Sequence, residues 1–152
     1  MSIARFAAYA ADFEKSFESD DWSLVESHLS KDVVYEVGLK VLAAEPIEGR
    51  DALLAYFKDV LDRFDRRFES RELNLLEGPV EEDGSVWIRG AATYRAEGVP
   101  ELVLVLKETV HFEDGLICRL VDEYEPAMAQ SIEEYVAAYS ERLGIHVDGM
   151  HR

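Results

Sequence analysis

Apolar residues recur at positions 3, 6, 10, 13 and 17, the 3.6-residue period that lays one apolar stripe along a helix. A second, short helix follows Asp20-Asp21, with Trp22, Val25 and Leu29 facing inward. Ser23 and Glu26 have capping-box spacing near its start. Residues 32–38 alternate enough to be a strand, and 39–49, with Pro46, read as a loop. Asp51 is placed to cap the third and longest helix, with apolar positions 53, 56, 57, 60, 61, 64 and 68. The pattern then changes. Strands are predicted at 71–77, 85–96, 101–113 and 115–125, with turns at Glu82-Asp83-Gly84, Glu97-Gly98-Val99-Pro100 and Asp114-Gly115. Pro126 ends the last strand. A final helix is predicted over 131–143, with Ser131 and Glu134 at capping-box spacing and Gly144 placed to stop it.

Consecutive strands with hairpin turns make an antiparallel sheet, and helices segregated from them make an α+β fold. Residues 102–106, LVLVL, are apolar on both faces of their strand. The helices can cover only one face, so the expectation is a homodimer through the outer face of the sheet. Residues 1–145 read as one domain and 146–152 as a short C-terminal tail.

Composition narrows the partners. The chain carries 32 acids against 16 basic residues, for a formal net charge of −16. Nucleic acid and anionic membrane both need clustered Lys and Arg, so neither is expected. The single cysteine, Cys118, forbids an intramolecular disulfide and fits a reducing compartment. The N-terminal segment meets Asp12 and Glu14 and does not read as a signal peptide, and no window is long enough for a transmembrane helix. The default expectation is cytoplasmic.

Three local patterns carry a resemblance. They are Asp20-Asp21-Trp22 through Leu29 with Asp32-Val33-Val34-Tyr35, then Pro46 through Leu53 opening the long helix, and Phe112 through Ile117 with Glu125-Pro126. In their order and spacing the chain resembles the nuclear transport factor 2-like, or cystatin-like, α+β cone proteins. These include ketosteroid isomerase, scytalone dehydratase, limonene epoxide hydrolase and the SnoaL polyketide cyclases. The resemblance implies a curved antiparallel sheet wrapped around a long helix, with N-terminal helices and an extra C-terminal helix. It also implies an apolar pocket with a few polar groups at the open end of the cone. Some members of the superfamily catalyse nothing, so the fold does not by itself make an enzyme.

Two registers of the last hairpin compete. In a plain two-residue hairpin, Glu108 lies on the inner face opposite Val121, with Arg119 as its diagonal neighbour and ion-pair partner. Asp122 then lies outside, opposite Lys107, and His111 opposes Cys118. With a bulge of the kind seen in related cones, Leu120, Asp122 and Tyr124 line the pocket instead. Glu108 is the first candidate in either case. A carboxyl among Leu and Val has its proton affinity raised by desolvation. By resemblance it also matches the strand position where ketosteroid isomerases carry a buried acid. The rest of that machinery is missing, because the general-base position aligns with Val37 and the first-helix tyrosine with Phe13.

The remaining candidates follow from the faces. Tyr35 alternates with Val33 and Val37, and Tyr94 shares a face with Val86, Ile88 and Ala92. Trp87 and Arg89 fall on the opposite, dimer-facing side. The candidate catalytic residues are Glu108 and Asp122, and the candidate ligand contacts are Tyr35, Tyr124, Glu123, Tyr94 and Phe13. No metal site and no cofactor are expected. The expected function is a SnoaL-like pocket for a small apolar molecule, with acid/base isomerisation, cyclisation, dehydration or hydration as candidate reactions. The alternative is a non-catalytic ligand-binding or dimerisation module of the same fold.

Overall fold

A computed structural model describes residues 2–145. In chain order the elements are α1 (Ser2–Ser19), α2 (Ser23–Glu26), β1 (Leu29–Val37), β2 (Ile47–Glu48), α3 (Arg50–Arg63), a 3-10 turn (Asp65–Arg67), β3 (Ser70–Glu82), β4 (Ser85–Arg95), β5 (Leu102–Glu113), β6 (Leu116–Glu123) and α4 (Pro126–Leu143). The strands form one open, curved sheet in the order β2-β1-β6-β5-β4-β3. Neighbours run antiparallel except β1 and β6, which are parallel. This is the α+β cone that the sequence implies.

The core has two connected regions. In one, Phe6 and Tyr9 of α1 and Leu53 and Phe57 of α3 pack on Val33, Tyr35, Val86, Val110, Ile117 and Leu120 of the sheet. In the other, Phe64, Phe68, Tyr94, Leu102 and Leu104 meet Ile132 and Val136 of α4. Leu53, Val110, Ile117 and Ile132 are wholly buried. Each such side chain contributes about 1.5–3 kcal/mol relative to an exposed one.

Several ends differ from the sequence reading, each for a local reason. Leu29 leaves the short second helix and joins β1, where it pairs with Ile117 and stays buried. Ser23 is not the cap of α2; Trp22 holds that position with no side-chain cap bond, and Asp21 precedes it. Asp21 Oδ1 accepts from the Ser23 amide at 3.2 Å and from the Ser23 hydroxyl at 2.5 Å. Asp51 is not the cap of α3 but lies in its first turn. Gly49 holds the cap position at φ 96°, a conformation that costs a side-chain-bearing residue energy. The helix stops at Arg63, and Phe64 and Phe68 reach the core through the 3-10 turn. The final helix begins at Pro126, five residues early, because proline's fixed φ and missing N–H suit the first helical position. Ser131 and Glu134 are therefore exposed interior residues of α4, not a cap. Gly144 ends the helix as expected, at φ 73°. The tail at 146–152, with His146 and His151, lies outside the described residues.

Candidate functional site

The last hairpin decides the site. Its turn is the expected one, with Asp114 and Gly115 at its tip, Glu113 opposite Leu116 and Phe112 opposite Ile117. Then the ladder slips. His111 opposes Arg119, so Cys118 is one extra residue in β6, a bulge. Every later residue of β6 changes face relative to an unbroken ladder. Val110 now opposes Leu120, and Glu108 opposes Asp122.

Three expectations of the plain register are corrected by this slip. Arg119 points away from Glu108 and binds Glu36, with its Nη2 donating to Oε2 at 2.5 Å. Asp122 is 7% exposed and faces inward, away from Lys107, which instead opposes Glu123. Cys118 does not oppose His111, although its thiol donates to the His111 carbonyl at 3.4 Å.

Glu108 and Asp122 form an inward-facing pair of carboxyls, and the proton affinity of each is raised. Burial pushes the Glu108 carboxyl well above the usual carboxylate range, and the charge of Asp122 and the hydrogen bond between the two carboxyls push it further. Burial also raises Asp122, while hydrogen bonds from Glu108 and Tyr35 stabilise its charge and oppose that rise. The two carboxyls therefore titrate as a unit, and the pair resists carrying two charges. Tyr35 donates its hydroxyl to Asp122 Oδ2. Asp122 Oδ1 is buried and has no hydrogen-bond partner. Burial, and then the charge of Asp122, keeps the Tyr35 phenol protonated far past neutrality.

The pair opens onto a cavity of about 480 Å³ between α1, α3 and the inner face of the sheet. Its aromatic wall is continuous. Phe57 lies 5.1 Å from Phe13 and 5.8 Å from Tyr35, ring centre to ring centre, and Tyr9 lies 6.2 Å from Phe13. Leu104, Leu106, Leu120 and Ile88 supply the aliphatic wall. Farther along β4 is a second polar cluster. Arg71 Nη1 donates to Glu14 Oε1 at 2.8 Å, its Nε lies 3.1 Å from Asp65 Oδ2, and Tyr94 donates to the same oxygen at 2.9 Å. Burial raises the Asp65 carboxyl, and Arg71 and Tyr94 hold it down.

Six of the residues singled out from sequence line this cavity: Glu108, Asp122, Tyr35, Tyr124, Tyr94 and Phe13. Glu123 does not. It is exposed on the outer face, because the same slip that brings Asp122 in turns Glu123 out. Sequence reasoning missed Tyr9, Tyr56, Glu14, Asp65 and Arg71. Tyr9 was legible in principle, since it shares a helical face with Phe6 and Phe13. Asp65, in the 3-10 turn after α3, and Arg71, at the start of β3, sit among charged residues at element ends, and the pattern did not mark either as inward. Among the described residues no group of three His, Cys, Asp or Glu is arranged to hold a metal ion. No described helix is long and apolar enough to cross a membrane.

Comparison with known proteins places this geometry. The SnoaL-like domain family model matches residues 10–120. No curated protein matches the chain. Among solved structures, an NTF2-like protein of unknown function from Burkholderia pseudomallei is similar at a TM-score of 0.66 and 16% identity, over 90% of this chain and 98% of that one. A Catenulispora acidiphila protein of ketosteroid isomerase-like fold, in complex with trimethylamine, gives 0.61 at 11% identity, over 86% and 92%. A Mycobacterium tuberculosis protein in complex with estradiol-17beta-hemisuccinate gives 0.58 at 16% identity, over 79% and 93%. At these identities the likeness shows the fold.

Proposed function

The chain belongs to the SnoaL-like domain family, within the NTF2-like superfamily, and from that premise we propose that it binds a small apolar molecule in the cavity and performs acid/base chemistry on it. The observation that carries this reading is the Glu108–Asp122 pair, two opposed carboxyls that line the cavity and whose proton affinities are both raised. Glu108 is half-buried and faces the cavity, so it is the group that would touch the ligand. Asp122 sets the proton affinity of Glu108, and Tyr35 anchors Asp122.

The chemistry follows from the charge. When Glu108 gives its proton to the ligand, two carboxylates face each other in a dry site. That state is unfavourable, so Glu108 recovers a proton from another atom of the ligand. Donation at one atom and recovery at another is an isomerisation; coupled to ring closure or to loss or gain of water, it is cyclisation, dehydration or hydration. Two fold neighbours are complexes with a steroid hemisuccinate and with an amine. These support a small-molecule ligand here without naming it.

The test is exchange in deuterated buffer with a panel of apolar unsaturated ketones and amines, followed by NMR. The expected result is deuterium uptake or double-bond movement, slowed about 10²-fold or more in Glu108→Gln. Equal rates in the two proteins would remove Glu108 from the chemistry. Binding without turnover would leave a non-catalytic pocket protein.

The outer face supports a second reading, that two copies pair there. Val103, the second residue of β5, is 38% exposed, and Lys107 lies 4.8 Å above the Trp87 ring on the same face. Sedimentation velocity at micromolar concentration should give a dimer, and a monomer would contradict it.

A further inference from the structure

We propose that the cavity selects an apolar ligand carrying a basic nitrogen, with its ammonium held against Glu108 and the aromatic wall. This rests on the pocket reading above and names the ligand class of the same site.

The argument starts from the charges. Four carboxyl groups line the cavity: Glu14, Asp65, Glu108 and Asp122. Among the described residues Arg71 is the basic side chain that lines it, and Glu14 and Asp65 already engage it. No cation therefore faces the Glu108–Asp122 pair. The groups around that pair are phenols: Tyr9 from α1, Tyr35 from β1 and Tyr124 past the end of β6. A phenol donates a hydrogen bond but carries no compensating charge. A buried negative charge without a counter-ion is costly, and a ligand that supplies the positive charge recovers that cost. A carboxylate ligand would add to it.

The wall fits the same ligand. Tyr9, Phe13, Tyr35 and Phe57 form an unbroken run of rings beside the pair. Aromatic rings attract alkylammonium groups, more strongly when water is excluded. Asp122 supplies an independent sign of an unfilled site. It is 7% exposed, lines the cavity, and its buried Oδ1 has no hydrogen-bond partner. An ammonium beside the pair offsets its negative charge.

The test uses three ligands of one shape: N,N-dimethyl-2-naphthylmethylamine, its uncharged isostere 2-isobutylnaphthalene, and 2-naphthylacetate. Binding is measured by calorimetry at pH 7. The expected order is amine over hydrocarbon by about tenfold or more, with the carboxylate weakest. Glu108→Gln should bring the amine within about threefold of the hydrocarbon. Equal or tighter binding of the hydrocarbon by the wild-type chain would overturn the inference and leave the pocket reading standing. Binding of none of the three would overturn both.

Discussion

Glu108 and Asp122 oppose each other across β5 and β6 because Cys118 is an extra residue between them and the turn. Without it the hairpin would place Val121 opposite Glu108. The inner face would then carry an ordinary Glu–Arg pair. One bulged residue converts that into two carboxyls that face each other.

The pair should make stability fall as pH rises. Both folded-state proton affinities are raised, so the folded chain binds more protons than the unfolded one above the ordinary carboxylate range. The penalty starts near the unfolded Asp and Glu values of 3.8 and 4.5, grows as pH rises, and is complete above the pair's raised folded values. Each unit of upward shift costs about 1.4 kcal/mol there. Glu108→Gln removes the proton that must be lost yet still donates to Asp122. It should be more stable than wild type at pH 8 by about 1 kcal/mol or more, with little difference at pH 4.5. Urea denaturation at both pH values checks this, and parallel profiles would show that the two carboxyls do not titrate as a unit.

Tyr35→Phe tests the anchor of the pair. The variant deletes only the hydroxyl that donates to Asp122 and leaves a buried carboxylate short of a partner. The expected loss is about 1–3 kcal/mol at neutral pH. The loss should shrink in acid, as Asp122 takes up a proton and needs the donor less. A loss that stays constant down to pH 4 would mean that only ring packing had changed.

The sequence already showed where this site would be and left open how it would be arranged. Period and turn residues located the strands and the long helix, and the alternation of β5 put Glu108 inside. The bulge left no mark, since Cys118 is a residue that any strand accepts. The register, and with it the faces of Arg119, Asp122 and Glu123, had two solutions of equal local quality. The missing isomerase residues are instructive in the same way. Val37 occupies the base position, but it pairs directly with Asp122 on the adjacent strand. Phe13 occupies the phenol position, but Tyr9 lies one turn earlier on the same helical face and lines the same cavity. A carboxyl and a phenol are therefore present from neighbouring positions. Only a three-dimensional pairing shows that.

Arg71 should be structural, as the cation that makes Glu14 and Asp65 tolerable at the cavity wall. Its side chain is 13% exposed and that of Asp65 12%. Arg71→Met would leave Asp65 buried without its guanidinium, at a cost of about 3–5 kcal/mol at pH 7. Burial already raises the Asp65 carboxyl, and losing Arg71 raises it further, so the variant should recover part of its stability as pH falls and Asp65 is protonated. Thermal melts at pH 7 and pH 5 compare the two states. An equal loss at both would assign the effect to the cation–π contact that Arg71 makes over Phe17 at 4.7 Å.

Gly38 should be the position where one methyl group disturbs the site from behind. Its amide donates to the Asp122 carbonyl at 2.8 Å, where the chain leaves β1 alongside β6. A Cβ there would sit 2.8 Å from that same oxygen, closer than real contacts allow. The obstacle is backbone, so relief requires β1 and β6 to part. Gly38→Ala should then cost about 1–3 kcal/mol, as other overpacked sites do. In a chain of this size that lowers Tm by roughly 2–4 °C per kcal/mol. The parting should also loosen the contact between Tyr35 on β1 and Asp122 on β6, so the pH dependence of stability should change along with the melting temperature. A lower Tm with the wild-type pH profile would show that the strand can yield without moving the acid pair.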